Sequence, residues 1–463
     1  MSTSLNRITA ARHVGDPAPV RVVHLGLGAF HRAHQAWYTQ HAESDARDPK
    51  WGIAAFTGRS PVAAEELAPQ EGLYSLVERA ADADSVELIQ SIVEVRPASD
   101  SKRLVQLLSA PEIALVTLTI TEAGYHLDPA GELKATDEDV AADIAILREA
   151  LSDPSQDPPL LTAAGRLVLG LDRRLRSLGN EAGIAVVSCD NMADNATATR
   201  NAVLGTAHAC KDGLAEEIDR VVSWVGTSVD RITPAATEEL AQFVAEKTGF
   251  DDAAPVVAEP FRSWIFSGDF PGGRPEWERA GAQFVDDLEP FERRKLWLLN
   301  GTHSYMAYAG QLAEHRTVAE AIADPAILSK IEAFWDEASR HLTDPQLDVP
   351  SYREDLLTRY RNPRIQHFLA QIGTDGASKL RIRALPIYQA EREAGRDGAA
   401  AAGAIASWIA WLITQDSRDI KDSEVDSIRQ ALASDDTTRA LLDVLQPGLG
   451  QDTHLVSLVR SHN

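Results

Sequence analysis

The sequence has very little cysteine. Only two of its 463 residues are cysteines, Cys189 and Cys210. Neither belongs to a CxxC pair or to a His/Cys cluster with the spacing of zinc ligands. This pattern excludes a disulfide scaffold and a structural zinc domain, and we expect no metal site. A reducing compartment, the cytoplasm, is the expected location.

Positive charge is also scarce, and long hydrophobic runs are absent. The 45 Lys and Arg residues against 69 Asp and Glu residues give a formal net charge of −24. Nucleic acid and anionic membranes attract basic surfaces, so we expect neither as a partner.

The first residues lack the apolar run of a signal peptide. The most apolar stretch, residues 399–414, is shorter than the roughly 20 residues of a membrane span. It predicts a buried helix with Trp408 and Trp411 facing inward.

Short β-branched runs alternate with helical patterns in the first part of the chain and disappear from the second. Residues 21–25, 52–56, 113–119 and 184–188 predict buried strands, and residues 256–264 predict a strand with an edge proline. Residues 160–176 and 195–208 predict helices. From about residue 289 the pattern is helical, with breaks at 344–350 and 373–380. The sequence predicts an α/β domain over 1–288 and a mostly α-helical domain over 289–463.

A glycine pair follows the first predicted strand. Gly26 and Gly28 stand where a tight turn and a close backbone approach would receive the pyrophosphate of a dinucleotide, with a helix N-terminus next to it. Phe30 lies in the same turn, and His31 occupies the place of the third glycine of GxGxxG. The incomplete motif is a weak indication of NAD or NADP binding.

The second predicted strand lacks the acidic residue that usually follows it in a dinucleotide-binding domain. Such an acid binds the adenosine ribose hydroxyls. Here Arg59 follows the strand instead, and it could meet a 2′-phosphate, which leaves NADP open. The alternative is that Arg59 stacks on adenine or faces solvent.

Asn191 follows the predicted strand 184–188, and ligands of open α/β sheets bind beyond the carboxyl ends of strands. An Asx turn or a helix cap is the alternative for Asn191 and Asp194, and it is the favoured interpretation for Asn195.

Residues 291–310 predict a helix with an unusual set of polar side chains. At about 100° per residue, Glu292, Lys295 and His303 fall within about 80° of one another, and Asn300 lies about 140° from Lys295. Perturbed polar clusters of this kind mark functional sites. The alternative is an amphipathic helix with a solvated lysine and a core histidine.

Several segments together resemble one protein family, in order and in spacing. They are GLGAFHRAHQ, LTITEAGYHLD, SCDNMADN, VDRITP, GRPEWERAGAQFVDD and KLWLLNGTHS. The family is that of the polyol-specific long-chain dehydrogenases, which includes mannitol 2-dehydrogenases and fructuronate and tagaturonate reductases. The resemblance implies a Rossmann-type N-terminal domain, a mostly helical C-terminal domain and a cleft between them in which metal-independent hydride transfer takes place.

The resemblance also implies roles for individual residues. Lys295 matches the general base, which requires a pKa below the usual value of about 10.4 for lysine. Asn191 and Asn300 match amides that hydrogen-bond the reacting oxygen, in the manner of an oxyanion hole. His303 matches a substrate-orienting group.

The resemblance gives roles to three further residues. Asp230 matches an acid near the nicotinamide, Glu292 a proton-path carboxylate and Lys379 a second substrate-contacting lysine. Val229, beside Asp230, joins Gly26, Gly28, Phe30 and Arg59 as a candidate cofactor contact.

The sequence departs from the mannitol enzymes at two places. Pro61 and Val62 stand where those enzymes have acids that select NAD, which weakens the assignment of NAD over NADP. Gln371 stands where they can have an arginine. The basic run that includes Arg381 and Arg383 could hold a sugar-acid carboxylate or form a solvated face.

Three functions are compatible with these patterns. The first is interconversion of a sugar alcohol and a ketose, with mannitol and fructose as the leading pair. The second is reduction of a ketouronate such as fructuronate. The third is a non-catalytic, NAD-binding regulatory protein. A monomer or a small homo-oligomer is expected in each case.

Overall fold

The computed structural model describes residues 2–45, 47–416 and 418–462. The chain divides into two units, 1–288 and 289–463. The strands all belong to the first unit and are, in chain order, β1 (Thr3–Ser4), β2 (Val20–Leu25), β3 (Gly52–Phe56), β4 (Tyr74–Arg79), β5 (Asp84–Ile89), β6 (Ile92–Arg96), β7 (Leu115–Leu118), β8 (Ile184–Ser188), β9 (Val222–Asp230), β10 (Phe250–Asp251), β11 (Val256–Ala258), β12 (Ser263–Ser267) and β13 (Gln283–Phe284).

Eight of these strands form one sheet in the order β13-β12-β9-β8-β7-β2-β3-β6. The six neighbouring strands β9, β8, β7, β2, β3 and β6 are parallel, and β12 joins antiparallel to β9. Strand β2, the first of this sheet along the chain, lies between β3 and β7. Successive strands are added on one side of β2 up to β6 and on the other side from β7, so the order reverses there. This is the order of a doubly wound dinucleotide-binding sheet, in which ligands bind beyond the carboxyl ends at the reversal point.

Helices surround the sheet in the first unit, and buried residues occupy every position of β3, β7 and β8. Strands buried on both faces explain the continuous apolar runs in the sequence. The helices are Ala29–Ala33, Gln35–His41, Val62–Leu67, Ser101–Leu108, Glu138–Ser152, Ala163–Leu178, Asn195–Cys210, Leu214–Val221 and Glu238–Thr248. The predicted Rossmann-type α/β domain is confirmed.

Most predicted strands are confirmed, and one is wrong. Strands β3 and β8 have the predicted ends, and β2 and β7 lie at the predicted places. The predicted strand 256–264 is instead two strands: β11 pairs with β4 in a small sheet with β5, and β12 pairs with β9. Pro260 lies between them and has no backbone N–H to donate to a ladder. The sequence analysis also missed β4, β5, β6 and β9, and the two-residue strands β1, β10 and β13.

The second unit is mostly helical in its described residues, as predicted. Its helices are Glu289–Arg294, Thr302–Leu312, Val318–Ala323, Pro325–Ser339, Val349–Tyr360, Leu369–Ile372, Gly376–Arg383, Leu385–Glu393, Ala399–Thr414, Val425–Leu432, Thr437–Leu445 and Thr453–His462, with a π-helix at Lys295–Gly301. The predicted break at 373–380 is partly wrong. Asp375 has a left-handed φ of 51°, and a new helix begins directly after it, so Lys379 lies on a helix.

The apolar helix Ala399–Thr414 packs against Thr302–Leu312 and Thr453–His462 in the core of this unit. Trp408 is buried as predicted, whereas Trp411 is half-buried, with its ring 5.3 Å from that of Tyr308. Gly403 allows the close approach, because a Cβ there would lie 2.6 Å from the Tyr305 hydroxyl. Among the described residues, no helix is both long and apolar enough to cross a bilayer.

Candidate active site

The glycine turn of the first unit depends on Gly26 far more than on Gly28. Gly26 follows β2 with a φ of 106°, and a Cβ there would lie 2.0 Å from the carbonyl oxygen of Thr119. Gly28 has extended backbone angles, and a Cβ would meet nothing nearer than the Gly26 carbonyl oxygen at 3.7 Å. The turn therefore presents an open backbone at the reversal point of the sheet, which fits the pyrophosphate of a nicotinamide dinucleotide.

His31 replaces the third glycine of the motif and is fully buried. Its ring stacks on that of His24 in β2, with 3.3 Å between the centroids. His24 bonds to Thr117 and Thr119 through its two nitrogens. A glycine would allow close packing of helix on strand, and here a pair of flat rings fills the same space. Phe30, the neighbouring cofactor candidate, is half-buried and stacks on His34.

Arg59 follows β3 and is exposed. Its guanidinium lies 2.8 Å from the carboxylate of Asp139. A 2′-phosphate would compete with Asp139 for this arginine, so the preference between NAD and NADP stays a prediction.

Asn191 follows β8 at the carboxyl edge of the sheet and is exposed, and its neighbours fix its backbone. The carboxylate of the buried Asp190 accepts hydrogen bonds from the Ile120 amide and the Tyr125 hydroxyl. Burial raises the pKa of the Asp190 carboxyl to about 7, against the lowering effect of these two donors.

The contacts of Asn195 are structural, but it does not form the helix cap that the sequence favoured, because the N-cap of its helix is Asp194. Its amide nitrogen donates to the carbonyl oxygens of Asp190 and Thr227, at 3.0 and 2.8 Å, and its side-chain oxygen accepts from the Thr227 amide. The side chain thereby joins the end of β8 to β9, and the Asn191 loop is held between two strands.

Val229 and Asp230 are the last two residues of β9, at the same carboxyl edge as Asn191. Val229 is 2% exposed and Asp230 is half-buried. Their backbone pairs with β12, where Asp230 lies opposite Ser263. The first unit thus brings the Gly26 turn, Asn191 and Asp230 to the ends of three strands of one sheet.

The second unit presents Lys295, Asn300 and His303 from a helix whose middle is π-helical. Lys295–Gly301 forms the π-helix, and His303 lies at the start of the α-helix that continues it. In a π-helix residue i pairs with residue i+5, so a turn takes more residues than in an α-helix. The angle of about 140° between Lys295 and Asn300, expected for an α-helix, is therefore wrong. The wider turn brings Asn300 towards the face that carries Lys295.

Three distant side chains stabilise the widened turn by donating to consecutive carbonyl oxygens. The indole of Trp335 donates to Leu298 at 3.0 Å, the Tyr360 hydroxyl to Leu299 at 3.3 Å, and the Arg383 guanidinium to Asn300 at 3.3 Å. Buried carbonyl groups need such partners. In addition, Gly301 leaves room for the ring of Phe334, which a Cβ would approach to 2.9 Å.

His303 is 8% exposed, and its Nε2 atom is buried with no hydrogen-bond partner among the described residues. Its pKa is lowered well below the ordinary value for histidine, first by burial and then by nearby positive charge. The groups with the largest electrostatic effect on it are all basic: His367, Arg359, Arg383 and Lys379.

Two other predicted residues of this unit lie on neighbouring helices. The Lys379 ammonium donates to the Ile372 carbonyl oxygen at 3.0 Å, and burial, then Arg383, lowers its pKa. Glu292 is half-buried on the helix that precedes the π-helix. Gln371 is exposed on the short helix before Lys379.

The two arginines that the sequence offered as a carboxylate clamp have different surroundings. Arg381 donates to the carbonyl oxygens of Leu445 and Val444 and pairs with Glu424, so it is bound to another helix of the unit. Arg383 donates to Asn300 and Ser304, and its buried Nε has no partner among the described residues. Of the two, Arg383 contacts the π-helix, and Arg381 is bound to Glu424 and to the helix Thr437–Leu445; the carboxylate clamp stays a prediction.

The sequence analysis missed two residues that the structure places beside the candidates. Asp190 precedes Asn191 directly, and a carboxyl group at the end of a buried strand was a signal that could have been used. His367 stacks edge-on against His303, with 4.8 Å between the ring centroids. No local pattern indicated this contact, because the two residues are 64 positions apart.

Comparison with known proteins gives the family. The model of the mannitol dehydrogenase Rossmann domain matches residues 20–279, and that of the mannitol dehydrogenase C-terminal domain matches residues 287–462. A D-mannonate oxidoreductase of Escherichia coli K12 is 36% identical over 397 residues, which cover 84% of this chain and 79% of the relative.

A second relative and a solved structure support the same family. A D-arabinitol 4-dehydrogenase of Ralstonia nicotianae is 36% identical over 372 residues, 78% of this chain and 76% of the relative. The structure of a Pseudomonas fluorescens mannitol 2-dehydrogenase, a ternary complex with NAD and D-mannitol, has a TM-score of 0.77 and 31% identity, and covers 99% of this chain and 96% of its own. The chain therefore belongs to the mannitol dehydrogenase family of nicotinamide-dependent polyol and sugar-acid oxidoreductases.

Proposed function

We propose that the chain interconverts a ketouronate and the corresponding aldonate by hydride transfer. In the oxidative direction, Lys295 takes the proton of the reacting hydroxyl while the hydride leaves the same carbon, so that the alcohol becomes a ketone. The nicotinamide, when bound, accepts that hydride. In the reverse direction Lys295 returns the proton to the oxygen.

In this proposal Asn191 and Asn300 hydrogen-bond the reacting oxygen and stabilise the charge that develops on it. The support is that each amide lies on a backbone held by other groups, Asn191 next to the Asp190 network and Asn300 in the braced π-helix. His303 orients the substrate, with Lys379 as a second contact. Asp230 is proposed to lie near the nicotinamide, and Glu292 on the proton path.

The choice of a sugar acid rests on the basic side chains beside His303: the His367 ring lies 4.8 Å from its ring, and Arg383 donates to Asn300 and Ser304 on the same helix. A neutral polyol offers nothing to compensate positive charge in a low-dielectric site, whereas a carboxylate does so and forms the stronger, charge-assisted hydrogen bonds. Mannitol and fructose carry no charge, so the same basic side chains would bind them less strongly.

The neutral pair mannitol and fructose is the second candidate. It is supported by the likeness to the mannitol 2-dehydrogenase structure that contains NAD and D-mannitol. Mannitol enzymes can have an arginine at the position of the exposed Gln371 in this chain. We infer a substrate pocket that differs from theirs, and for that reason we rank mannitol and fructose second.

NAD is the proposed cofactor. The turn at Gly26 and Gly28 supports dinucleotide binding in general, and the ion pair of Arg59 with Asp139 supports a cofactor without a 2′-phosphate. If NADP is preferred instead, Arg59→Ala will raise its KM selectively.

A panel of substrates tests the proposal. Purified protein is assayed at the nicotinamide absorbance band with fructuronate, tagaturonate, fructose, mannonate and mannitol, each with both cofactors. We expect the highest kcat/KM for a ketouronate with NADH. A preference for fructose would favour the second candidate, and NADH binding without turnover of any substrate would favour a regulatory protein.

A further inference from the structure

We propose that His367 determines substrate specificity by contacting, together with His303, the carboxylate of the substrate; this inference rests on the proposed function. Neither the sequence nor the family comparison assigned a role to His367. The two rings lie 4.8 Å apart between centroids and nearly perpendicular, at 79°.

The pair offers two hydrogen-bonding nitrogens that no other described residue uses. His303 Nε2 and His367 Nδ1 are both buried, and neither has a hydrogen-bond partner among the residues that the structure describes. Leaving such an atom buried and unpaired costs free energy. A carboxylate carries two oxygens with several lone pairs and can accept a hydrogen bond from each ring.

The backbone of His367 is fixed from outside the site. Its carbonyl oxygen accepts from the Val318 amide at 3.0 Å, and the next residue, Phe368, bridges to Thr317. Thr317 and Glu320 form a capping box at the start of the helix Val318–Ala323. The backbone of His367 is thus anchored to a capped helix end, and its ring contacts that of His303.

The arrangement of the two rings differs from that of His31, a buried histidine of the first unit whose ring nitrogens also have no hydrogen-bond partner among the described residues. The His31 ring is stacked flat on that of His24, and basic groups surround it as well. The rings of His303 and His367 are nearly perpendicular instead, with Arg359, Arg383 and Lys379 near them. The unstacked geometry together with the nearby cations, and not the charge alone, favours a bound anion.

A ring nitrogen that contacts a carboxylate can be replaced by an amide, which gives the test its design. His367→Ala removes the donor, and His367→Asn keeps an N–H near the position of Nδ1. His315→Ala is the matched control, because His315 is another half-buried histidine of the same unit, paired with Asp324 at 3.2 Å. Thermal unfolding of each variant verifies that it is folded.

Kinetics with fructuronate and fructose give the first readout. A hydrogen bond to a charged group corresponds to a loss of roughly 10- to 100-fold. We expect His367→Ala to lower the ratio of kcat/KM for fructuronate over fructose by that factor, His367→Asn to restore much of it, and His315→Ala to leave it as in wild type. An equal loss for both substrates would overturn the proposal, because a merely structural histidine affects every substrate alike.

Binding separates this proposal from the proposed function. Equilibrium binding of mannonate to the NAD-loaded protein is measured for the wild type and for His367→Ala. If the wild type turns over no substrate, hydride transfer is refuted, and the mannonate measurement still decides the role of His367. Affinity that is lost in His367→Ala supports a carboxylate contact, and affinity that is the same in both proteins contradicts it.

Discussion

The carboxyl edge of the sheet and the π-helix Lys295–Gly301 both hold an irregular backbone, but the side chains that hold it come from different places in the chain. At the sheet edge, the side chains of Asp190 and Asn195 belong to the loop itself, on either side of Asn191, and they bond outwards to Ile120, Tyr125 and Thr227. At the π-helix, the donors Trp335, Tyr360 and Arg383 are 37, 61 and 83 residues away from the carbonyl groups they satisfy.

This difference separates two kinds of substitution. A change at the sheet edge alters a local backbone conformation and with it the frame that would receive the cofactor. A change at the π-helix donors leaves every proposed reacting group in place but releases the backbone that positions them. We therefore expect the first kind to affect stability and cofactor binding, and the second to affect turnover.

Gly26→Ala should have the largest effect on the fold. The new Cβ would overlap the Thr119 carbonyl oxygen in a backbone conformation that alanine rarely adopts, which we expect to lower the free energy of unfolding by about 3 kcal/mol or more. Gly28→Ala is the control, because its Cβ meets no protein atom closely; it should fold and bind NADH more weakly. Denaturant unfolding and NADH fluorescence titration measure both. A Gly26→Ala protein as stable as the wild type would contradict the account.

Arg383→Met should affect turnover more than folding. It removes donors to the Asn300 carbonyl oxygen and the Ser304 hydroxyl, a loss of about 2 kcal/mol for charged hydrogen bonds, and we expect kcat/KM to fall by roughly 10- to 100-fold. Arg381→Met is the matched control on the same helix, where the lost contacts are to Leu445 and Glu424. If kcat/KM falls equally in Arg383→Met and Arg381→Met, the contact of Arg383 with the π-helix has no special effect on turnover.

Asp190→Asn should change the pH dependence of stability. The pKa of the carboxyl is about 7 in the folded protein, above its ordinary value of 3.8, so the folded state holds the proton more tightly than the unfolded state. This contribution is complete below the ordinary pKa and is lost as the pH rises through about 7. Asparagine imitates the protonated form. We expect the Tm of the wild type to fall relative to the variant between pH 5 and pH 8.

One result of the comparison between the wild type and Asp190→Asn would contradict the raised pKa. A Tm difference between wild type and Asp190→Asn that stays constant over this pH range would show that the buried carboxyl does not titrate there. The Asn191 loop would then be held by an Asp190 of unchanged charge over this range, and the raised pKa would be contradicted.

Tyr360→Phe should have the smallest effect. It removes one neutral hydrogen bond, to the Leu299 carbonyl oxygen, so the free energy of unfolding should fall by about 1 kcal/mol. Because Trp335 and Arg383 still brace the adjacent carbonyls, kcat should change little. A loss of turnover as large as that of Arg383→Met would mean that the three donors act as one unit.

The sequence predicted what depends on neighbours along the chain. Strands β3 and β8 were predicted to the residue because buried parallel strands are continuous apolar runs. The predicted strand at 256–264 failed because its two halves join different sheets, which no local pattern records.

The remaining features depend on residues far apart in the chain. An α-helical wheel over residues 291–310 could not anticipate the π-helix, because its stability comes from Trp335, Tyr360 and Arg383. Nor could it anticipate that His367 meets His303. The residue types at the candidate site were readable from the sequence, whereas their surroundings required the fold.

The most direct test of the account is the effect of Lys295→Ala on turnover and cofactor binding, measured on the same preparation. Lys330→Ala, an exposed lysine on the helix Pro325–Ser339, is the control. We expect kcat of Lys295→Ala to fall by about 10²- to 10⁴-fold, the usual contribution of a general base, while NADH affinity stays that of the wild type. A variant that keeps its turnover, or one that loses turnover only because NADH no longer binds, would contradict the role proposed for Lys295.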